Sequence, residues 1–123
     1  MEKAALYKVI AELFAVRKGA YIMRGEERIM LGKDVFITRR ALKHIVERRK
    51  DEGLSFCDIC LLIHLIVPSI QSPNSARWDE NSKRMRAVKP FHRRQAVVVI
   101  YELQEKTKEV VTAFFRNMKI KSR

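Results

Sequence analysis

Two histidines, His44 and His92, are the residues of this sequence best suited to proton transfer, because each lies in a strongly cationic segment. Imidazole changes its charge near neutral pH, so it can serve there as a general acid or a general base. On a helix, Arg40, His44 and Arg48 fall at i, i+4 and i+8 and form one stripe. A histidine on an ordinary basic surface helix gives the same pattern, and both interpretations stay open.

The densest group of cations, from Lys89 to Arg94, stands directly before the clearest strand of the chain. Residues Ala96 to Tyr101 are mostly β-branched or aromatic, which predicts a central strand. Only a short polar connection separates it from the run Glu109 to Phe115, which predicts an antiparallel neighbour. Cations at the end of such a strand pair, where the first strand begins, can bind an anion. The expected anion-binding residues are Arg40, Arg48, Lys83, Arg84, Arg86, Lys89 and Arg94, with His44 and His92 as catalytic candidates.

The overall charge favours a polyanionic partner. The chain has 26 lysines and arginines against 14 acidic residues, a formal net charge of +12. Such a surface repels itself unless a polyanion neutralises it, so nucleic acid is the first expected partner. An anionic membrane surface and an acidic protein are the alternatives. No apolar run reaches the roughly 18 residues of a membrane span, and no secretory leader pattern is present, which predicts a soluble, cytoplasmic protein without a membrane partner.

The pattern of elements predicts a single α+β domain over residues 1–123. An N-terminal helix and a short hairpin about Gly25 form a candidate appendage over 1–33, a core spans 34–117, and a basic tail covers 118–123. In the core, two helices pack on an antiparallel sheet of about four strands. Thr38 caps the first core helix and Gly53 stops it. Ser55 begins the second with a capping box, and Pro68 ends it.

Several residues belong to types that can bind metals, act in catalysis or stack on bases, but each has a simpler structural interpretation. Cys57 and Cys60 form one Cys-x-x-Cys pair without a second pair of zinc ligands, so buried free thiols are expected, with no metal and no cofactor. His64 lies in the most apolar helix, which we expect to be the most buried one, and is interpreted as a hydrogen-bonded core residue. Trp78 can stack on a base, but a half-buried tryptophan of the sheet is the expected state.

Four segments of the chain resemble a known superfamily: Val35 to Val46, Ile63 to Ile70, Ala96 to Tyr101, and Val110 to Phe114. Together they are similar to the metal-independent nucleases typified by barnase, EndoU, the tRNase colicins and RelE toxins, especially the phage-associated branch. The resemblance covers roughly residues 34–117. It implies that a helix histidine, cations of the middle strands and a hydroxyl residue of the last strand meet around the scissile phosphate. In this chain those residues are His44, Lys89 or Arg93, and Thr112.

One position departs from the superfamily pattern. Relatives often carry another histidine near the helix end, where this chain has Arg48 and Arg49. His92 is the substitute in our hypothesis, with His44 as base or acid. The expected function is then a metal-independent endoribonuclease of toxin or phage-effector type, with an acidic inhibitor or antitoxin as a further partner. The alternatives are a non-catalytic RNA- or DNA-binding module and a basic interaction protein with an acidic partner.

Overall fold

A computed structural model describes residues 3–16, 27–92 and 94–117 of the chain. Within them the protein has the predicted α+β class. The elements are α1 (Lys3–Ala15), β1 (Arg28–Met30), β2 (Val35–Thr38), α2 (Arg39–Asp51), α3 (Phe56–His64), α4 (Ile66–Gln71), β3 (Ser75–Asp79), β4 (Arg84–His92), β5 (Gln95–Leu103) and β6 (Lys108–Asn117). No helix in the described part of the chain is both long enough and apolar enough to cross a membrane.

The strands form one sheet of six, in the order β1-β2-β6-β5-β4-β3. β5 is interior and pairs antiparallel with β6 and β4, as predicted. The expectation of about four antiparallel strands is too low, because β1 and β2 extend the sheet and β2 pairs with β6 in parallel. A parallel partner so distant in sequence leaves no local pattern by which it could be predicted. The first strand and the turn of the predicted hairpin about Gly25 lie outside the described residues, whereas its second strand overlaps β1.

The two core helices begin where the capping residues predict. The Thr38 hydroxyl accepts a hydrogen bond from the backbone N–H of Ala41 at 3.1 Å. Ser55 and Asp58 form the full capping box, with reciprocal bonds of 3.2 and 3.3 Å. Gly53 follows α2 with a φ of 92°, a conformation that glycine adopts without a steric penalty. These caps are local interactions, so the residues nearest to them decide the helix starts.

Pro68 does not end a helix, contrary to the prediction. The helix breaks earlier, at Leu65, and Pro68 falls in the first turn of α4. Backbone N–H groups in the first turn of a helix make no intrahelical hydrogen bond. Proline, which lacks this N–H, therefore loses no hydrogen bond there and is tolerated.

The apolar character of α3 does not produce the expected full burial. Ile59, Leu62 and Ile63 are buried, but Leu61 is 39% exposed and His64 is exposed, so His64 is not a core residue. The cysteines are free as predicted, but Cys57 is exposed and only Cys60 is partly buried. The helix presents one side to the core and the other to solvent, because α4 and the sheet occupy only one side of it.

The core lies between the sheet and the described helices, which all pack on the same face. Leu42 and Ile45 of α2 and Leu62 of α3 are fully buried against strand residues such as Val97 and Val99. α1 packs in turn on α2 and α3. The opposite face of the sheet carries none of the described helices, and its side chains define the candidate site.

Candidate functional site

The face of the sheet opposite the helices, called the open face below, has an apolar floor with arginines around it. Residues directly opposite each other in paired strands share a face, so the pairing register gives its composition. One row across β3, β4, β5 and β6 is Arg77, Arg86, Ile100 and Thr112; the next is Ser75, Val88, Val98 and Phe114; Ala96 and Arg116 follow. The floor is buried although no described helix covers it, since Ala96 and Val98 are fully buried.

A first cleft on the open face is strongly cationic. Arg77, Arg86 and Arg116 line it together with Ser75 and Val88, in a volume of about 280 Å³. All three arginines are exposed, and among the described residues none of them has an ion pair. Arg77 stands directly opposite Arg86 in the β3–β4 pair. Like charges in that arrangement destabilise a sheet, and a bound anion would remove the repulsion.

A second cleft lies where α2 passes the edge of β6. β2 pairs with β6 only at Lys108–Val110. Along the rest of β6, no described strand lies on that side, and α2 runs beside it. The cleft has a volume of about 380 Å³, and Arg48, Arg49, Glu52, Ile100, Thr112, Phe114 and Phe115 line it. A hydroxyl group, two guanidinium groups and one carboxylate therefore share a small space with apolar walls.

Arg49 is the most firmly held cation of this cleft. It is 5% exposed, and its Nη1 donates to the backbone carbonyl of Ala113 at 3.4 Å. Its Nε lies 3.2 Å from Oε1 of Glu52, which pairs the charges, but Nε makes no hydrogen bond within the described residues. Burial lowers the pKa of the Arg49 guanidinium, while the Glu52 carboxylate acts in the opposite direction. The group stays protonated, because the ordinary pKa of arginine is far above neutral pH.

Phe114 connects the two clefts. The guanidinium carbons of Arg49 and Arg86 lie 5.6 and 5.9 Å from the centroid of its ring. Both distances are within the range of cation–π attraction. The ring is partly exposed and lies opposite Val98 of the floor.

Among the predicted site residues that the structure describes, three line these clefts. Thr112 and Arg48 line the second cleft, and Arg86 lines the first. His44 is exposed on α2, on the side turned away from Leu42, Ile45 and Val46. His92 is exposed at the end of β4, where its ring is 5.9 Å from that of Phe91. Neither histidine is among the residues that line the two clefts.

The remaining predicted cations lie elsewhere. Lys83 pairs with Glu80 at 2.8 Å in the β3–β4 turn, and Arg84 pairs with Glu102 at 3.3 Å. Lys89 is opposite Val97 and so belongs to the helix face. Arg94 is exposed in the β4–β5 turn, Arg40 is exposed at the start of α2, and Arg93 lies outside the described residues. Trp78 is 45% exposed, on the opposite face of β3 from Arg77.

Sequence reasoning overlooked Arg49, Arg77, Arg116 and Phe114 as site residues. For Arg49 a signal was present, since it falls at helical spacing with the apolar residues Leu42, Ile45 and Val46. An arginine on the buried arc of a helix needs a partner inside the protein. The other three lie on strands, and only the pairing register places them on one face.

The described residues contain no group of three or more His, Cys, Asp and Glu residues that could hold a metal ion. Comparison of the chain with known protein families, curated proteins and solved structures gives no significant match.

Proposed function

We propose that this protein binds nucleic acid, RNA first of all, and that the arginines of the open face contact its phosphate groups. The observation that carries the proposal is the first cleft, where Arg77 and Arg86 stand opposite each other beside Arg116. No described residue neutralises these charges. Guanidinium groups bind phosphate oxygens in a bidentate manner, so a backbone phosphate satisfies the chemistry of this cleft.

The net charge of the whole chain supports the same function. A charge of +12 attracts any polyanion, but it does not choose a binding face. The open face adds a local feature, because its arginines surround an apolar floor whose partly exposed side chains are Ile100 and Val88. Phosphates can contact the rim while sugars and bases lie against the floor. A small anion would use only the rim.

Fluorescence anisotropy with a labelled single-stranded RNA of about 12 nucleotides tests this function, since such lengths cover a typical small binding site. We expect binding that weakens steeply as salt rises from about 50 to 200 mM. The double variant R77Q/R86Q should bind about 10- to 100-fold more weakly, and its salt dependence should be shallower by the loss of two phosphate contacts.

A matched control removes two charges from elsewhere. Lys8 on α1 and Lys106 in the β5–β6 turn are both exposed and outside the open face. K8Q/K106Q has the same net charge as R77Q/R86Q, so it should bind RNA nearly as well as the unmodified protein. An equal loss in both variants would mean that total charge, and not the open face, binds the RNA. If the unmodified protein binds no nucleic acid at low salt, an acidic protein partner, such as an inhibitor, becomes the better proposal.

Cleavage of the bound RNA is a second candidate function, and the second cleft favours it. Thr112, the hydroxyl residue that a nuclease of the expected type needs on its last strand, lies there beside Arg48 and Arg49. Fixed guanidinium groups stabilise the negative charge that develops on phosphorus when the 2′-hydroxyl attacks. His44 and His92 are the candidates for proton transfer, although both lie outside this cleft.

Incubation of total RNA with the protein in EDTA tests cleavage. We expect new fragments that disappear in H44A or H92A and decrease in T112V. Thr107 of the β5–β6 turn is partly buried outside the clefts, so T107V is the matched control. If no fragments form, or if both histidine variants cleave as the unmodified protein does, the protein binds RNA without cleaving it by this mechanism.

A further inference from the structure

The position of Phe114 between the two clefts indicates which form of nucleic acid fits the open face. Its ring is an aromatic group of the floor, and the guanidinium carbons of Arg49 and Arg86, which line different clefts, lie within 6 Å of its centroid. The guanidinium carbons of Arg49 and Arg86 lie 5.6 and 5.9 Å from the same ring centroid. The distance between these two carbons is therefore less than about 12 Å. One short piece of a single strand can therefore contact both arginines.

The two arginines differ in how they are held. Arg49 is almost fully buried and is fixed by the Ala113 carbonyl and by Glu52, so it loses little freedom when an anion binds. Its Nε has no hydrogen-bond acceptor within the described part of the chain. Arg86 is exposed and opposite Arg77, and apart from its position near the Phe114 ring no ion pair among the described residues holds it, so it can follow the ligand. A fixed cation on one side and an adaptable cation on the other suit a flexible chain.

We infer that the open face binds an unpaired strand, with phosphates in the two clefts and the base between them against the ring of Phe114. This inference rests on the proposed binding of nucleic acid and names the class of ligand. Stacking on an aromatic ring accepts every base, so the contact gives affinity for single strands without strict sequence preference.

A duplex does not meet these requirements. Its bases are paired and stacked inside the helix, so only phosphates and sugars could reach a ring at the bottom of a cleft. The partly exposed apolar residues beside Phe114, Val88 and Ile100, would then face polar backbone. With an unpaired strand the same residues contact the face of a base, and the arginines keep their phosphates.

The experiment compares four ligands of the unmodified protein by anisotropy at one salt concentration: a single-stranded RNA, an abasic strand of equal length, a duplex of equal length and inorganic polyphosphate. The abasic strand has the same phosphates and no bases, so the comparison needs no variant. We expect the intact single strand to bind about 5- to 150-fold more tightly than the abasic strand, the range that one to three kcal/mol of base stacking gives.

Variants at Phe114 locate the contact. F114L keeps apolar volume but removes the ring, so it should bind the intact strand about as weakly as the unmodified protein binds the abasic strand. F114Y keeps the ring and should restore binding. F91L, which removes a ring from the helix side of the sheet, is the matched control and should bind as the unmodified protein does. Circular dichroism shows whether each variant is folded.

The outcomes separate this inference from the proposed function. Equal affinity for intact and abasic strands, or F114L binding as tightly as the unmodified protein, overturns the contact with a base and leaves phosphate binding in place. Tighter binding of the duplex than of the single strand also overturns it. No binding of any of the four ligands removes the proposed function together with the inference.

Discussion

The two faces of β5 meet different surroundings although their residues are equally apolar. Val97 and Val99 point to the helices and belong to the main core, whereas Ala96 and Val98 point to the open face, and all four are fully buried. Burial of a strand residue therefore does not identify the core face. The two faces differ in the residues that surround them. Aliphatic residues of α2, α3 and α4 surround the helix face, whereas arginines and Phe114 surround the open face.

The same contrast separates the arginines of the site. Arg49 is buried, paired with Glu52 and bonded to the Ala113 carbonyl, so it is part of the structure as well as of the cleft. Arg86 is exposed and opposite another arginine, so it weakens the fold slightly in the absence of a ligand. A protein tolerates such a repulsive pair where binding compensates for it, which is the reason to look for function on the open face.

The largest expected effect distinguishes the helix face from the open face. L62A removes a fully buried side chain from the main core and should lower the free energy of unfolding by about 2 to 5 kcal/mol. Ile100 is only partly buried, so I100A on the open face should cost less than about 2 kcal/mol. Urea unfolding measures both. Equal losses would mean that the open face contributes to the core as much as the helix face does.

A smaller effect separates the two arginines. R49A leaves the buried Ala113 carbonyl and Glu52 without their partner, which should lower the free energy of unfolding by about 1 to 3 kcal/mol. R86A is the matched control and should change it by no more than about 0.5 kcal/mol, since the side chain is exposed and has no ion pair within the described residues. Thermal unfolding of both variants gives the comparison. An R49A protein as stable as R86A would show that Arg49 has no structural role.

The repulsion between Arg77 and Arg86 predicts a gain in stability. R77E places opposite charges across the β3–β4 pair and should raise the free energy of unfolding by about 0.2 to 1 kcal/mol, while RNA binding falls. R77Q removes the repulsion without adding attraction, so its gain should be smaller. Unfolding curves at low and high salt test the cause, because salt should reduce the difference between the two variants. Loss of stability in both variants would contradict the expected repulsion.

The smallest expected effect concerns pH and the turn between β3 and β4. The Ser82 hydroxyl and the Asn81 backbone N–H donate to the Asp79 carboxylate at 2.9 and 3.0 Å, and both bonds lower its pKa. A lowered pKa in the folded state means that this stabilisation is present above the ordinary aspartate pKa of about 4 and is lost as pH falls through the folded value. The difference in melting temperature between the unmodified protein and D79N should therefore shrink as pH falls from about 5 through the ordinary aspartate pKa and below it. A constant difference over this range would contradict the shift.

Local interactions made much of the fold predictable. Thr38 and Ser55 begin helices because the side chain of each accepts a hydrogen bond from a backbone N–H three residues later. The β-branched residues of β5 favour a strand by their own propensity. Pro68 misled the prediction because its effect depends on where the helix begins, and the break at Leu65 was not evident in the sequence. β2 was not assigned to the sheet because its parallel partner β6 lies far along the chain.

The candidate site was less predictable than the fold. The sequence supplied the cations, and Arg86, Arg48 and Thr112 were named from it; the structure places these residues in the two clefts. His44 and His92 were chosen for their chemistry, but chemistry does not decide the direction in which a side chain points. The turn of α2 directs His44 to solvent and brings Arg49 to β6 instead.

By itself the sequence determined the charge of this protein, its helix starts and its central strands, because composition, caps and β propensity act within a few residues. Only the tertiary structure decided which cations share a cleft. Arg49 meets Ala113 across 64 positions of sequence, and Arg77, Arg86 and Phe114 come together through the register of neighbouring strands. Register follows from the packing of a whole sheet, and a shift of one residue would turn every one of these side chains to the other face.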